Sequence, residues 1–385
     1  MTPARPPWRA LLLLCAAAIT YGSLHPFRFT VPVSFDIAWE TFMADHRLWT
    51  SRGDVVGNIA LFVPFGALAL AALPARRRGA VAWALLLLAA VTFAFAVQVL
   101  QIWFPPREPS LADVVWNAVG SLAGMALAAL ALARFGGSQL RLGDGGPVAA
   151  FLLLGWVLTQ LFPFLPSLDW QMVKDKLKPL LLDTPWSGTA MLFTMARVLA
   201  AGCLLHALSR STASASARLA LLLVALLVGK LLVVGQSLGL ATLLGFAAGW
   251  IAWSLLSRWA EQQLGLLAFA FLLVAFTLAN LLPFELRDTA AAFHWLPFDA
   301  LLHGSMVVNS WALVESVFVY CTLLWLVAQA GGRVPGTAIV LAAWVAGIEA
   351  AQVWIDGRTG DITAPLLVLL SGFVVHRLVA ADTGR

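Results

Sequence analysis

Polar residues along this chain gather in short clusters, and between the clusters run apolar stretches of the length a helix needs to cross a bilayer, about 20 residues. Twelve such stretches stand out, at 9–27, 55–73, 80–103, 113–134, 148–165, 187–208, 218–236, 238–257, 264–283, 311–330, 335–354 and 364–380. The seventh and eighth form one apolar run divided at QSLG (236–239). Apolar positions are continuous within each stretch and do not alternate over about ten residues, which excludes a β-barrel. Composition agrees: 61% of the 385 residues are hydrophobic and 11% charged, where a soluble domain carries about 25% charged residues. So few charges cannot clothe a soluble surface, so a soluble enzyme, a disordered chain and a fibrous repeat are excluded. The pattern predicts an all-α polytopic membrane protein with about twelve transmembrane helices.

The charges then orient the spans. With the amino terminus inside, the inner loops and termini hold thirteen basic residues against three acids, and the outer loops nine against fourteen. Basic excess marks the cytoplasmic side, so both termini are expected there, in a bacterial cytoplasmic membrane. Twenty of the 24 basic residues are Arg, a usage that fits a GC-rich bacterial genome. This placement explains the net charge of +5 without nucleic acid. Arg5 and Arg9 before LLLLCAAAIT fit a signal peptide or an uncleaved first span. The uncleaved span is preferred because no clean cleavage site follows and more spans do. Cys15, Cys203 and Cys321 all lie in apolar runs and read as packing.

Three spans end alike, in LHPFRF (24–29), LFPFLP (161–166) and LLPFEL (281–286). Each leads into a Trp-bearing polar loop and then three more spans. The chain therefore reads as three four-helix repeat units, 1–140, 141–260 and 261–385, parallel in the membrane because each unit has an even number of spans. Two loops carry amphipathic stretches expected to lie at the interface. In SFDIAWETFM (34–43), Phe35, Trp39 and Phe42 align. In SLDWQMVKDKL (167–177), Trp170, Val173 and Leu177 align, with Ser167 as the expected N-cap and Pro179 as the expected stop.

The polar residues nearest the spans recur at fixed spacing. Gln98 and Gln101 in unit 1 match Glu349 and Gln352 in unit 3; Arg107 and Arg358 follow; Asp113 and Asp361 then open the last helix. Asp113, Asn117, Gly120 and Gly124 share one helical face, as do Asp54 and Asn58. GSLAG is a small-xxx-small pattern that allows close packing. Unit 2 keeps Gln236 and the Gly245/Gly249 pair. By topology Asp54, Asn58, Gln98, Gln101, Arg107, Asp113 and Asn117 converge at the extracytoplasmic end of unit 1. Four further charges, Arg197, Lys230, Glu315 and Glu349, fall inside spans; Arg197 is near mid-span, where a lone charge is costly and a partner is expected.

The DVVGNIALFVPFG block (54–66), the glutamine-then-arginine segment and the D-x-x-x-N-x-x-G-x-x-x-G helix resemble the VanZ-like family, over about 11–135 and more faintly over 261–380. Gln98 stands where the family usually has Glu, and unit 3 has Pro365 where unit 1 has Asn117. The resemblance implies an envelope role connected with low-level glycopeptide resistance, with no assigned reaction. Three classes of function fit. A binding protein would hold an amphiphilic envelope lipid, lipopeptide or glycopeptide headgroup at Asp54, Asn58, Gln98, Gln101, Arg107, Asp113 and Asn117, and at Glu349, Gln352, Arg358 and Asp361, with Arg107 forking onto oxygens. A transporter would use the charges within spans. A membrane-embedded enzyme on a lipid-linked substrate would use Asp54 and Asp113 as acid and base. The enzyme has least behind it: the six His, including His46 and the His303–Ser305 neighbours, show no metal spacing, and no nucleophile elbow or phosphate loop occurs. No cofactor is expected. Partners are the bilayer and the envelope ligand, with the oligomeric state open. Against all three stands the reading that these polar groups only join helices.

Overall fold

The computed structural model describes residues 8–44, 47–49, 52–105, 107–135, 146–162, 167–182, 186–209, 211–299 and 306–382. Arg5, His46, Arg141, Asp144, Arg210, His303, Ser305, Arg385 and the end of the LFPFLP segment (163–166) lie outside the described residues. Among the described residues there are fourteen α-helices, a short 3₁₀ turn at Ala75–Arg77 and no strand. Each expected span falls on a helix, and both amphipathic loop stretches are helical as well. Among the described residues nine helices are long and apolar enough to cross a membrane, and Trp8–Leu24, Val148–Leu161 and Leu240–Leu256 are shorter apolar helices.

The chain divides into two compact units, Arg5–Arg141 and Leu142–Arg385. The first holds α1 (Trp8–Leu24), α2 (Phe35–Ala44), α3 (Arg52–Ala71), α4 (Ala80–Gln101) and α5 (Leu111–Phe135). Its principal seam joins α3 to α5. A Cβ at Gly120 would overlap Ile59 O, one at Gly124 would overlap Val63 O, and one at Gly66 would overlap Ser121 O. Three absent side chains thus bring two backbones together, and dispersion over that seam supplies what the hydrophobic effect cannot supply inside lipid. The short α2 lies against α4: Phe35 stacks on Trp103 at 5.3 Å, and Trp39 and Phe42 meet Phe95 at 6.3 and 5.7 Å. The three residues the sequence aligned on one face are the three that pack.

The second unit holds α6 (Gly146–Leu161), α7 (Trp170–Leu182), α8 (Gly188–Ala207), α9 (Thr212–Leu232), α10 (Leu240–Leu256), α11 (Glu261–Leu281), α12 (Met306–Gln329), α13 (Val334–Gln352) and α14 (Thr363–Asp382). Helix α8 is its axis, touching α6, α9, α10, α11 and α12 and burying Ala196, Val198, Leu199, Ala200, Ala201 and Leu204. Gly245 and Gly249 of α10 sit against Thr194 and Val198 of α8 and the carbonyls of Met191 and Met195. The three cysteines are free.

Three local expectations are corrected. Helix α9 begins ahead of its apolar run because the Ser211 hydroxyl caps it, accepting from Ser214 N at 3.2 Å; the QSLG break is therefore preceded by a helix ending at Leu232. Helix α7 is capped by Asp169, whose carboxylate accepts from Gln171 N at 2.8 Å, while Ser167 caps Asp169 N one step earlier. Pro179 does not end α7, which runs on to Leu182. A proline within a helix removes one donor, and a short helix can lose that bond and continue.

Candidate functional site

Two constructions meet at one end of the first unit, and they do different work. The first repairs the end of α1. A helix leaves its last carbonyls without donors, and here the shortage is deepened by Pro26, which has no N–H for Gly22 O. Arg107 replaces it, Nη2 donating to Gly22 O at 3.1 Å and Nε to His25 O at 2.7 Å. Phe27, at φ 60°, turns its N–H to Leu24 O at 3.0 Å. That leaves Ser23 O for Gln101 Nε2 at 2.9 Å. Thr30 N then reaches Trp103 O at 2.9 Å and fastens the loop to the end of α4. Burial pushes the Arg107 guanidinium below its usual pKa. Two of its five N–H donors are spent on backbone.

The same construction stands in the second unit. Arg358 Nη2 donates to Ala279 O at 2.9 Å and Nε to Leu282 O at 2.7 Å; Gln352 Nε2 donates to Asn280 O at 2.9 Å. Arg287 N reaches Trp354 O at 2.9 Å, and Phe284 stands at φ 64°. Pro283 is the residue whose missing N–H orphans Ala279 O. The arginines and the HPF and LPF endings are therefore two halves of one clasp, which spacing alone did not reveal. At the corresponding end of α6, Gln236 Nε2 donates to Phe162 O and accepts from Lys230 Nζ at 3.0 Å. Gln236 and Lys230 thus hold the places of the Arg and Gln, with the cation moved from loop to helix. Lys176 of α7 fills out this corner, its ammonium on the carbonyls of Lys230, Leu231 and Val233 at 2.8, 3.2 and 2.5 Å. Burial holds the Lys176 ammonium below its usual pKa.

The second construction surrounds Asp113. Ser110 caps α5, its hydroxyl accepting from Ala112 N at 3.1 Å, and its own N–H donates to Gln98 Oε1 at 2.9 Å. Gln98 Nε2 turns to Asp113 Oδ2 at 3.2 Å, and Asn58 Nδ2 reaches Asp113 Oδ1 at 2.9 Å and Asp54 O at 3.0 Å. The carboxylate, at the favourable end of the α5 dipole, is bound by two neutral amides. Asp54 is within electrostatic reach of it. One turn further along the same face, Asn117 is 4% exposed with Oδ1 unpartnered, and Ser121 Oγ beyond it is buried and unpartnered too. The lip is aromatic: Trp49 meets Trp116 at 5.8 Å, and Trp116 Nε1 donates to Leu48 O at 2.7 Å.

The second unit lacks this carboxylate. Glu349 occupies the place of Gln98, its Oε2 accepting from Asp361 N at 3.0 Å. Asp361 is the counterpart of the capping Ser110, bonding Thr363 N through Oδ1 at 2.6 Å. The pairing of Asp361 with Asp113, and of Pro365 with Asn117, is thereby corrected: the clasp bonds put Ala364 and Val368 at those places. Ser110 was missed, although S-L-A-D before an apolar run is a capping-box signature. Arg287 was missed as well; its Nη2 binds Ile355 O at 2.6 Å and Arg358 O at 2.9 Å.

Within the spans, Arg197 pairs with Glu315 and lies 4.3 Å over the Phe193 ring, which supplies the partner its depth demanded. Among the described residues no group of His, Cys, Asp and Glu is arranged to hold a metal.

Comparison with curated proteins and with solved structures gives no match. Residues 4–132 match the family model described as VanZ/LLP1, and that range holds every side chain of the Asp113 site and of the Arg107 clasp. The similarity to the VanZ/LLP1 family is carried by this first segment, about a third of the chain, and the long apolar helices make the chain a polytopic membrane protein.

Proposed function

We propose that this VanZ-like protein recognises an amphiphilic cell-envelope molecule at the extracytoplasmic face, through the end of the first unit where Asp54, Asn58, Gln98, Asp113 and Asn117 meet. The observation that carries the reading is a carboxylate held by neutral amides directly above a buried amide oxygen with no partner. Such a pair of acceptors costs free energy when empty and suits a donor group, an amine above all, on a lipid, lipopeptide or glycopeptide. Gln101, Arg107, Gln352 and Arg358 support the site by fixing helix ends. Glu349 and Asp361 belong to a related corner without the central acid. The aromatic loop around Trp49 and Trp116 shields the headgroup, and the role is envelope homeostasis or antibiotic tolerance. In this reading twelve helices cross the cytoplasmic membrane as three four-helix units with both termini cytoplasmic. The bond-by-bond likeness of the clasps at Arg107 and Arg358, and the glycine seams at Gly120 and Gly245, support that repeat.

Asp113→Asn tests it at matched membrane expression. Loss of tolerance to an envelope-targeting lipopeptide or glycopeptide, with thermal stability kept, is the expected outcome. Unchanged susceptibility in a stable variant leaves the helix-joining role alone. A second reading, transport, draws on the half-buried Arg197–Glu315 pair and on Lys230. It expects proteoliposome flux that disappears in Lys230→Gln.

A further inference from the structure

The turn between α3 and α4, at the end of the first unit away from Asp113, carries a separate feature. An open groove of about 480 Å³ lies there, lined by Leu73, Arg77, Gly79, Val81, Leu85 and their neighbours. Its walls are almost wholly hydrocarbon and its mouth is cationic. Of the three consecutive arginines, Arg78 is turned inward, Nε on Leu73 O at 3.0 Å and Nη2 on Ala71 O at 3.3 Å, so it closes the end of α3. Arg76 and Arg77 are exposed, and among the described residues neither side chain has a partner. The sequence has no acid between Asp54 and Glu108. Helix α4 starts at Gly79 with no side-chain cap and no acid in its first turn, so its dipole adds to the same positive field. From the mouth the groove continues onto a ridge of α4, where Val81, Leu85 and Leu88 are 75%, 61% and 62% exposed. Positive charge at a membrane surface, opening onto a hydrocarbon track along one helix, is complementary to a single class of molecule.

We propose that this groove is a binding site for an anionic phospholipid. The phosphate sits between Arg77, Arg76 and the first turn of α4, and one acyl chain lies along Val81 and Leu85. Arginine suits the headgroup because its planar fork meets two phosphate oxygens at once, and basic pockets beside helix ends are known to select such lipids. The site is independent of the Asp113 reading.

The full chain purified in detergent and titrated with phosphatidylglycerol or with phosphatidylcholine of the same acyl chains, followed by native mass spectrometry, tests it. Wild type is expected to retain phosphatidylglycerol about fivefold over phosphatidylcholine, from roughly one surface cation's worth of attraction. Arg77→Gln should bring the ratio close to one. Arg258→Gln, a basic residue on another exposed turn, should leave the ratio unchanged. Val81→Ser with Leu85→Ser should weaken both lipids alike. Thermal melts of each variant separate loss of binding from loss of fold, since the Arg77 side chain has no bonding partner among the described residues. Equal retention of the two lipids by wild type, or an unaltered ratio in Arg77→Gln, overturns the proposal.

Discussion

Arg107 and Asp113 show how two residues of one polar cluster can have opposite duties. Arg107 is bonded to the protein through Gly22 O and His25 O, so its loss should be felt without any ligand. Arg107→Lys keeps the charge but offers a point donor in place of a fork, and one of the two carbonyls is left dry. Losing a hydrogen bond to a charged group costs about 2 kcal/mol. The ligand-free variant in detergent should therefore melt several degrees below wild type. Asp113→Asn should melt closer to wild type: its amide oxygen keeps one of the two bonds from Asn58 and Gln98, and the loss of the other is offset by removing a half-buried charge. If the two variants melt alike, the division of labour is wrong. The sequence made the meeting of these residues legible, through spacing and topology. It did not show which of them faces a ligand. That depends on where backbone carbonyls are orphaned, and the orphan at Gly22 exists only because Pro26, four residues on, has no N–H.

At the scale of elements, the helices were readable because lipid demands a long apolar stretch for each one. Their edges were less so. The amphipathic α2 was visible in the alignment of Phe35, Trp39 and Phe42, each a large side chain with one packing direction. The end of α7 was misplaced because a proline is a weak stop in a helix already lying at the surface. The seam between α3 and α5 was foreshadowed by GSLAG, though its partner surface was not, since glycine marks a close approach without naming what approaches. The seam itself predicts a sharp contrast. Gly120→Val would drive a side chain into Ile59 O, and backbone cannot yield as a side-chain tip can. Overpacking of this kind costs about 3 kcal/mol or more, enough to lower the yield of folded protein in detergent chromatography. Gly57→Ala, on the same α3 with nothing within 4 Å of the added Cβ, should fold as well as wild type and gain some helix propensity. Equal tolerance of both substitutions would mean that α3 and α5 do not pack through these glycines.

For the whole molecule, the arrangement in the membrane turns on three helices. Nine are long enough to cross, and α1, α6 and α10 are shorter. Each is decisive, because a helix that fails to cross reverses the side of everything after it. Arg76, Arg77 and Arg78 share a side with Arg258 and Arg333 when α6 and α10 both cross, and α1 then sets the side of the amino terminus, which is the arrangement the positive-inside rule favours. A short helix can satisfy the bilayer by local thinning at modest cost, and the clasps give a reason to accept that cost: α1 is short because Pro26 stops it where Arg107 takes over the last carbonyls, and Gln236 bonds Phe162 O at the end of α6. Single cysteines in a background with Cys15, Cys203 and Cys321 replaced by Ala should therefore divide cleanly in intact cells. Val33→Cys, Leu168→Cys and Leu286→Cys, which are 109%, 88% and 78% exposed as native residues, should react with a membrane-impermeant maleimide. Arg76→Cys, Arg258→Cys and Arg333→Cys should react only after the membrane is opened. Labelling of Arg258→Cys from outside, with Arg76→Cys protected, would place an odd number of crossings between them. It would remove α6 or α10 from the spans and end the parallel three-unit arrangement.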